Sequence, residues 1–229
     1  MPEPVGPTRW LLPDPRAAEP GQEVIAVGAE LDVPTVHAAY VRGLFPMHLP
    51  SGDLAWWSPD PRGVLPLEAL HVSRSLRRSL GRFTYSVDAA FERVMRECAD
   101  ERRDSGWITE EFVGTYTRLH RMGWAHSVEV WQDGDLVGGL YGVEIGGLFA
   151  GESMFHRATD ASKAALVVLV ERLRDCGGDR LVDVQWRTEH LATLGVVEIP
   201  RMQYLARLDA ALRLPPCLGA SGGDGLGQG

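Results

Sequence analysis

The chain is poor in cysteine, with only Cys98, Cys176 and Cys217 among 229 residues. They are odd in number, far apart and without a C-x-x-C pair. Neither a disulfide framework nor a zinc site is expected, and a reducing cytoplasm fits. Long hydrophobic runs are also missing: the longest, Ala164 to Val170, is far too short to span a bilayer, so no membrane association is expected. Residues 1–7 carry neither the basic start nor the apolar run of a signal peptide. Net charge is −8, which argues against whole-surface nucleic-acid binding but leaves local patches open. There is no P-loop, no G-x-S-x-G and no H-E-x-x-H. The seven histidines show no metal-ligand spacing, so neither a metal nor a cofactor is expected.

What is present is enough apolar sequence, 45%, for a substantial core. Residues 1–22 are proline-rich and expected to be extended. Pro34 to Arg42 reads as a short helix, and the aromatic, Pro- and Gly-rich stretch up to Pro66 as binding or packed loops. Ser73 to Leu80 reads as a helix capped by Ser73, Ala89 to Arg102 as a second, and Thr109 to Met122 as a third with Thr109 as its cap. Three hairpin-linked strands follow: Ser127 to Gln132, Leu136 to Ile145 and Leu148 to Phe155, turning at Asp133-Gly134 and Gly146-Gly147. A helix from Ala161 to Cys176, capped by Thr159 or Asp160 and apolar on every side, leads to a strand at 181–186. A last helix signal lies at Glu189 to Leu194. A helix between neighbouring parallel strands is the natural crossover. The expectation is therefore an α/β protein on a mixed sheet: a smaller lobe at 1–104, joined at 100–105 to a main domain at 105–214, with a disordered tail at 215–229.

The segment Leu181-Val182-Asp183-Val184-Gln185-Trp186 is the most informative. Side chains alternate along a strand, which places Asp183 and Gln185 on one side of a segment that otherwise belongs in a core. An unpaired buried carboxylate is costly, so the pair must be bonded to something. Spacing alone leaves open whether that is a substrate or the protein itself. Glu152 likewise sits among apolar residues in the third strand, where it could bind a cation or pair with a buried arginine. Arg74, Arg78 and Arg82 recur every four residues with no acid between Glu68 and Asp88, a stripe suited to phosphate oxygens or simply a solvated face. Tyr40, Phe45, Trp56, Trp57, Trp107 and Tyr116 supply aromatic surface for packing or for stacking on a substrate ring.

Taken together, the segments resemble the bacterial leucyl/phenylalanyl-tRNA–protein transferases. The matching stretches, in the family's order, begin with Ala39-Tyr40-Val41-Arg42-Gly43-Leu44-Phe45-Pro46 and Trp56-Trp57-Ser58-Pro59-Asp60-Pro61-Arg62. They continue through His71-Val72-Ser73-Arg74-Ser75, Trp107-Ile108-Thr109 and Leu136-Val137-Gly138-Gly139-Leu140-Tyr141-Gly142. Gly151-Glu152-Ser153-Met154-Phe155, Ala161-Ser162-Lys163, Asp183-Val184-Gln185 and Glu198-Ile199-Pro200-Arg201 complete them. The resemblance implies a GNAT-like acyltransferase domain with a small N-terminal lobe. It implies an enzyme that moves leucine or phenylalanine from aminoacyl-tRNA to proteins with N-terminal arginine or lysine, marking them for proteolysis. By that resemblance Gln185 bonds the acceptor α-amine and Asp183 orients Gln185. Asp183 also favours loss of the amine's proton. Glu152, with Gly151 beside it, and Asp183 supply negative charge suited to the cationic acceptor, and Phe149, Met154 and Leu166 line the pocket for the transferred side chain. Tyr40, Trp107 and Tyr116 hold the terminal adenosine, and Arg74, Arg78 and Arg82 hold the acceptor stem. The partners implied are aminoacyl-tRNA and acceptor proteins, with the chain itself a monomer.

The sequence departs from the family's usual pattern at Met47 (usually Trp), Gly81 (usually basic), Leu140 (Met), Leu169 and Leu173 (Phe) and Thr188 (Asn). The departures bear on tRNA contact and on preference among leucine, phenylalanine and methionine. Two rivals are a GNAT enzyme using acyl-CoA and a non-catalytic tRNA-binding protein. The first needs a pyrophosphate cradle before the buried helix, where residues 156–160 offer no glycine and end in an acid.

Overall fold

The computed structural model describes residues 1–100 and 107–220. Three short strands, β1 (Val24–Val27), β2 (Phe45–His48) and β3 (Leu54–Trp57), form a small antiparallel sheet in the order β1-β3-β2, with α1 (Val33–Val41) between the first two. The aromatic stretch after Pro46, expected as loop, is thus largely strand, and its tryptophans are sheet residues. Trp56 is fully buried and donates to the Gly28 carbonyl at 2.8 Å.

The next elements are β4 (Arg62–Leu65), α2 (Arg74–Leu80), β5 (Thr84–Val87), α3 (Phe91–Cys98) and α4 (Glu110–Arg121). They are followed by β6 (Ala125–Gln132), β7 (Asp135–Ile145), β8 (Leu148–His156), α5 (Ala161–Asp175) and β9 (Leu181–Gln185). The chain continues with α6 (Glu189–Ala192), β10 (Val197–Ile199) and α7 (Arg201–Ala211). The large sheet runs β10-β4-β9-β8-β7-β6-β5, antiparallel except where β8 meets β9. That single parallel pair is joined through α5, the crossover expected from sequence. The β6–β7 hairpin turns on Asp133 and Gly134, both with positive φ, as a two-residue turn of matching twist demands.

The expected partition at residue 104 does not follow the sheets. β4 and β5 belong to the seven-stranded sheet, so the sheets divide between β3 and β4. The proposed joint at 100–105 lies outside the described residues except for Asp100.

Apolar side chains cover both faces of the large sheet. One face carries α3 and α4, with α1 packed on α4, and the residues Tyr40, Phe91, Phe112, Tyr116 and Tyr141; the other carries α5 with Ala164, Ala165, Leu166, Leu169 and Leu173. Gly138 on β7 lets the start of α5 lie against the strand, because a Cβ there would come within 2.5 Å of the Ala161 Cβ.

Several local expectations are corrected. α3 ends at Cys98, and its start is held by the Glu129 carboxylate, which accepts from the Ala89 and Ala90 amides. Thr109 and Asp160 stand at the N-cap positions of α4 and α5 without capping them; the Asp160 side chain accepts from Ser79 and Lys163 instead. Thr188 caps α6 through Oγ1, which accepts from the Leu191 amide, a role asparagine would also fill. The helix α7 was missed. Cys176 and Cys217 are disulfide-bonded, with Cα atoms 6.0 Å apart, against the expectation of unpaired cysteines. The tail was expected to be disordered from 215. Yet Cys217 and Leu218 are buried, and the Glu144 carboxylate accepts from both their amides, which brings Cys217 to the end of α5. Residues 221–229 lie outside the described residues. Among the described residues, no helix is long and apolar enough to cross a membrane.

Candidate active site

Strands β8 and β9 and helices α5 and α6 enclose a cavity of about 130 Å³. Its walls are Leu140 of β7, Phe149 and Met154 of β8, Leu166 and Leu169 of α5, Val182 and Val184 of β9, and Leu191 of α6. Glu152, Ser153 and Gln185 form its polar end, beside Gly151. An apolar chamber near 150 Å³ is large enough for benzene, so this one suits a single leucine- or phenylalanine-sized side chain. Six residues singled out from sequence, Phe149, Gly151, Glu152, Met154, Leu166 and Gln185, meet here.

Gln185 is reached by a backbone irregularity that sequence alternation does not show. Its φ is +60°, in the left-handed region, opposite a bulge in the β4–β9 pairing. Gly63 stands across from it, where a Cβ would come within 2.8 Å of the Trp186 backbone. The side-chain amide donates to Glu152 Oε1 at 3.3 Å. That fixes its orientation and leaves the amide oxygen to accept from an incoming N–H.

Asp183 does not line the cavity. Its carboxylate is fully buried and forms a bidentate pair with Arg62, Nε to Oδ1 at 2.8 Å and a terminal nitrogen to Oδ2 at 2.6 Å. Tyr204 of α7 donates its hydroxyl to Oδ2 at 2.9 Å, and the Gln185 backbone amide donates to Oδ1 at 2.9 Å. The link from Asp183 to Gln185 therefore runs through the backbone. The Arg62 guanidinium lies between the rings of Phe45, at 4.8 Å, and Tyr204, at 4.4 Å. Burial is the largest single influence and acts to lower its pKa, but the charge and hydrogen bonds of Asp183, with Tyr204 and Glu152, together raise it.

Glu152 has no cationic partner among the described residues. Tyr116 Oη lies 3.5 Å from its Oε2, and Tyr116 in turn shares a 2.6 Å hydrogen bond with Tyr40. Burial pushes the Glu152 pKa up to about 8, opposed by the Tyr40 hydroxyl and reinforced by the Asp183 charge. Tyr40 and Tyr116 are themselves fully buried, and neither lines the cavity.

The remaining sequence candidates lie elsewhere. Trp107 packs edge-on against Phe112 and borders an open depression with His48, Thr109, Glu110 and Glu111. Arg74 and Arg78 are exposed on α2 and make no ion pair among the described residues. Arg82 does not continue the stripe of Arg74 and Arg78: α2 stops at Leu80 with Gly81 as C-cap, and Arg82 folds back to donate to Ser79 Oγ at 3.0 Å. Sequence reasoning missed the roles of Arg62 and Tyr204. Arg62 ends the Trp56–Arg62 stretch that carries part of the family resemblance. Tyr204 was signalled only by the apolar spacing of Tyr204, Leu205, Leu208 and Ala211 after Pro200.

The site is thus an apolar side-chain pocket with a buried acid and an oriented amide at its polar end. The profile of the leucyl/phenylalanyl-tRNA protein transferases matches residues 64–209, and that of their N-terminal domain matches 29–60. A leucyl/phenylalanyl-tRNA–protein transferase of Anaeromyxobacter sp. (strain K) is 51% identical over 218 residues, 93% of each chain. One from Pseudoalteromonas atlantica is 45% identical over 213 residues, 91% of this chain and 88% of the relative. The chain belongs to the leucyl/phenylalanyl-tRNA–protein transferase family. Among solved structures, a GCN5-related N-acetyltransferase from Kribbella flavida aligns with TM-score 0.39 at 13% identity, covering 71% of this chain and 59% of that one. The L-PGS of Bacillus licheniformis gives TM-score 0.39 at 14% identity over 58% and 48%.

Proposed function

We propose that the protein transfers leucine or phenylalanine, and methionine where the pocket admits it, from aminoacyl-tRNA to the α-amine of proteins that begin with arginine or lysine. The observation that carries this reading is the 130 Å³ apolar cavity ending at Glu152 and Gln185. The aminoacyl side chain fills the cavity, which presents its ester carbonyl at the polar end. The neutral acceptor amine attacks that carbon, with Gln185 Oε1 accepting one of its N–H groups. As the C–N bond forms and the ester C–O bond breaks, the tRNA ribose oxygen leaves as a hydroxyl and the amine loses its proton. An amide is too weak a base to take that proton, so Gln185 serves to orient the amine. Catalysis then rests on proximity.

Glu152 supplies the negative charge that faces the acceptor's cationic side chain. A bound cation favours the ionised form, so acceptor binding draws the raised pKa back down. Asp183 was expected to share that task, but its charge is already matched by Arg62. Arg74, Arg78 and Arg82 hold acceptor-stem phosphates, Trp107 the terminal adenosine, and Tyr40 and Tyr116 support that region through Glu152. The product carries a destabilising N-terminus and is sent to proteolysis; the enzyme works as a cytoplasmic monomer. An acyl-CoA reading is disfavoured because Asp160, bonded to Ser79 and Lys163, occupies the start of α5, where a pyrophosphate would have to sit.

The test is incubation with labelled leucyl-tRNA and a peptide beginning with arginine. Label in the peptide is expected. Label that stays on tRNA, or tight binding of acetyl-CoA by calorimetry, would overturn the reading.

A further inference from the structure

We propose that Arg62 is a positioning residue of the transfer reaction, acting through Asp183 to hold Gln185 in the left-handed backbone conformation that aims its amide into the cavity. The inference rests on the transferase reading above and extends it to a residue that never touches substrate.

The Asp183 carboxylate already accepts four hydrogen bonds: two from Arg62, one from Tyr204 and one from the Gln185 amide. An ionised carboxylate offers about four lone-pair sites, so none is left for a substrate amine. Arg62 and Asp183 are both sealed from solvent. Asp183 can therefore neither collect the amine's proton nor meet the acceptor side chain. Its hydrogen-bonded link to the cavity is the 2.9 Å bond to the Gln185 backbone amide, beside the charge it exerts on Glu152.

That bond falls where the backbone needs support. A non-glycine residue at φ +60° is strained and persists only where its surroundings over-determine it. Arg62 provides the over-determination. Its planar fork grips both carboxylate oxygens, its remaining terminal nitrogen reaches the Gly43 carbonyl at 3.3 Å, and Phe45 and Tyr204 hold its two faces. The same Phe45 ring packs edge-on against Trp186, the residue after Gln185, at 5.1 Å. Arginine's position thus reaches Gln185 from both sides. Lysine would keep the charge but lose the fork and the stack.

The decisive experiment separates charge from position. The full chain and its Asp183→Asn, Arg62→Lys and paired Arg62→Gln/Asp183→Asn variants are compared for transfer of labelled leucine to an arginine-starting peptide, with circular dichroism and melting as controls. Asp183→Asn alone strands the guanidinium, and kcat is expected to fall about 100-fold, the scale of a small misplacement at a reacting centre. The paired exchange removes both charges while an amide oxygen still faces the Gln185 N–H; kcat should return to within about tenfold of the parent through coupling of the pair. KM for leucyl-tRNA should stay unchanged throughout. A folded paired variant as inactive as Asp183→Asn, or an Asp183→Asn variant as active as the parent, overturns the proposal. If the paired variant does not fold, Arg62→Lys decides: a kcat loss of about tenfold or more at constant KM supports positioning, and an unchanged kcat overturns it. A parent chain that transfers no leucine sinks the function reading instead, so the two failures are distinct.

Discussion

Asp183 on β9 and Glu152 on β8 stand on adjacent strands of one sheet, yet among the described residues only the first bonds a guanidinium. Behind β9, Arg62, Tyr204 and a backbone amide saturate the Asp183 carboxylate. At the cavity, Glu152 has a tyrosine hydroxyl and the Gln185 amide and, among the described residues, no ion pair, and burial lifts its pKa to about 8. The two acids share a residue class and a neighbourhood but not a chemistry. A paired charge becomes scaffold, whereas one without a counter-charge at a cavity is left to answer to whatever enters it.

The largest expected effect comes from breaking the paired side. Asp183→Ala leaves Arg62 buried and unmatched, which should cost about 3–5 kcal/mol of stability along with most of the transfer activity. Denaturant unfolding beside the leucine-transfer assay measures both, and a loss under 1 kcal/mol would mean the pair is not buried as described.

Glu152→Gln should do the opposite. Its KM for an arginine-starting peptide should rise about tenfold or more, as expected on losing a charged hydrogen bond, while leucyl-tRNA binding holds. Its stability should diverge from the parent's with pH. The folded-state pKa is raised from 4.5 to about 8, so the stabilisation from bound proton is complete below about 4.5 and is lost as pH climbs to 8. Glutamine mimics the protonated acid. The variant should therefore melt close to the parent at pH 5 and a few degrees higher, roughly, at pH 8.5. Melting curves that stay parallel across that range would show that Glu152 is not desolvated.

Leu169→Phe tests the apolar wall that both acids leave untouched. Filling part of the cavity should lower phenylalanine transfer relative to leucine by roughly tenfold, and competition between the two charged tRNAs reads it directly. Arg78→Ala is the most remote change. It should weaken tRNA binding modestly and flatten the salt slope by about 1, with kcat preserved at saturating tRNA; an unaltered slope would remove Arg78 from the interface.

Much of the frame was legible in the sequence. Asp133-Gly134 and Gly146-Gly147 announced the hairpins, because those residues tolerate the positive φ a tight turn needs. The apolar helix before a β-branched segment announced the crossover. Phe149, Glu152, Met154, Leu166 and Gln185 were named before their cavity was known. The strands around Trp56 were hidden, since short segments rich in Pro and Gly carry loop signals that pairing overrides. The Cys176–Cys217 bond was hidden for a different reason. Its partners are 41 residues apart, and what joins them is the buried Glu144 carboxylate gripping the tail.

By itself the sequence determined the hairpins, the crossover, part of the apolar wall and the family, because periodicity, turn chemistry and ordered motifs are local properties of the chain. Only the tertiary structure decided what each acid does. Arg62 lies 121 residues before Asp183 and Tyr204 lies 21 after it, and no local pattern reports which charges will meet. A carboxylate's chemistry depends on its solvation and its nearest opposite charge, and both are set by packing across the sheet.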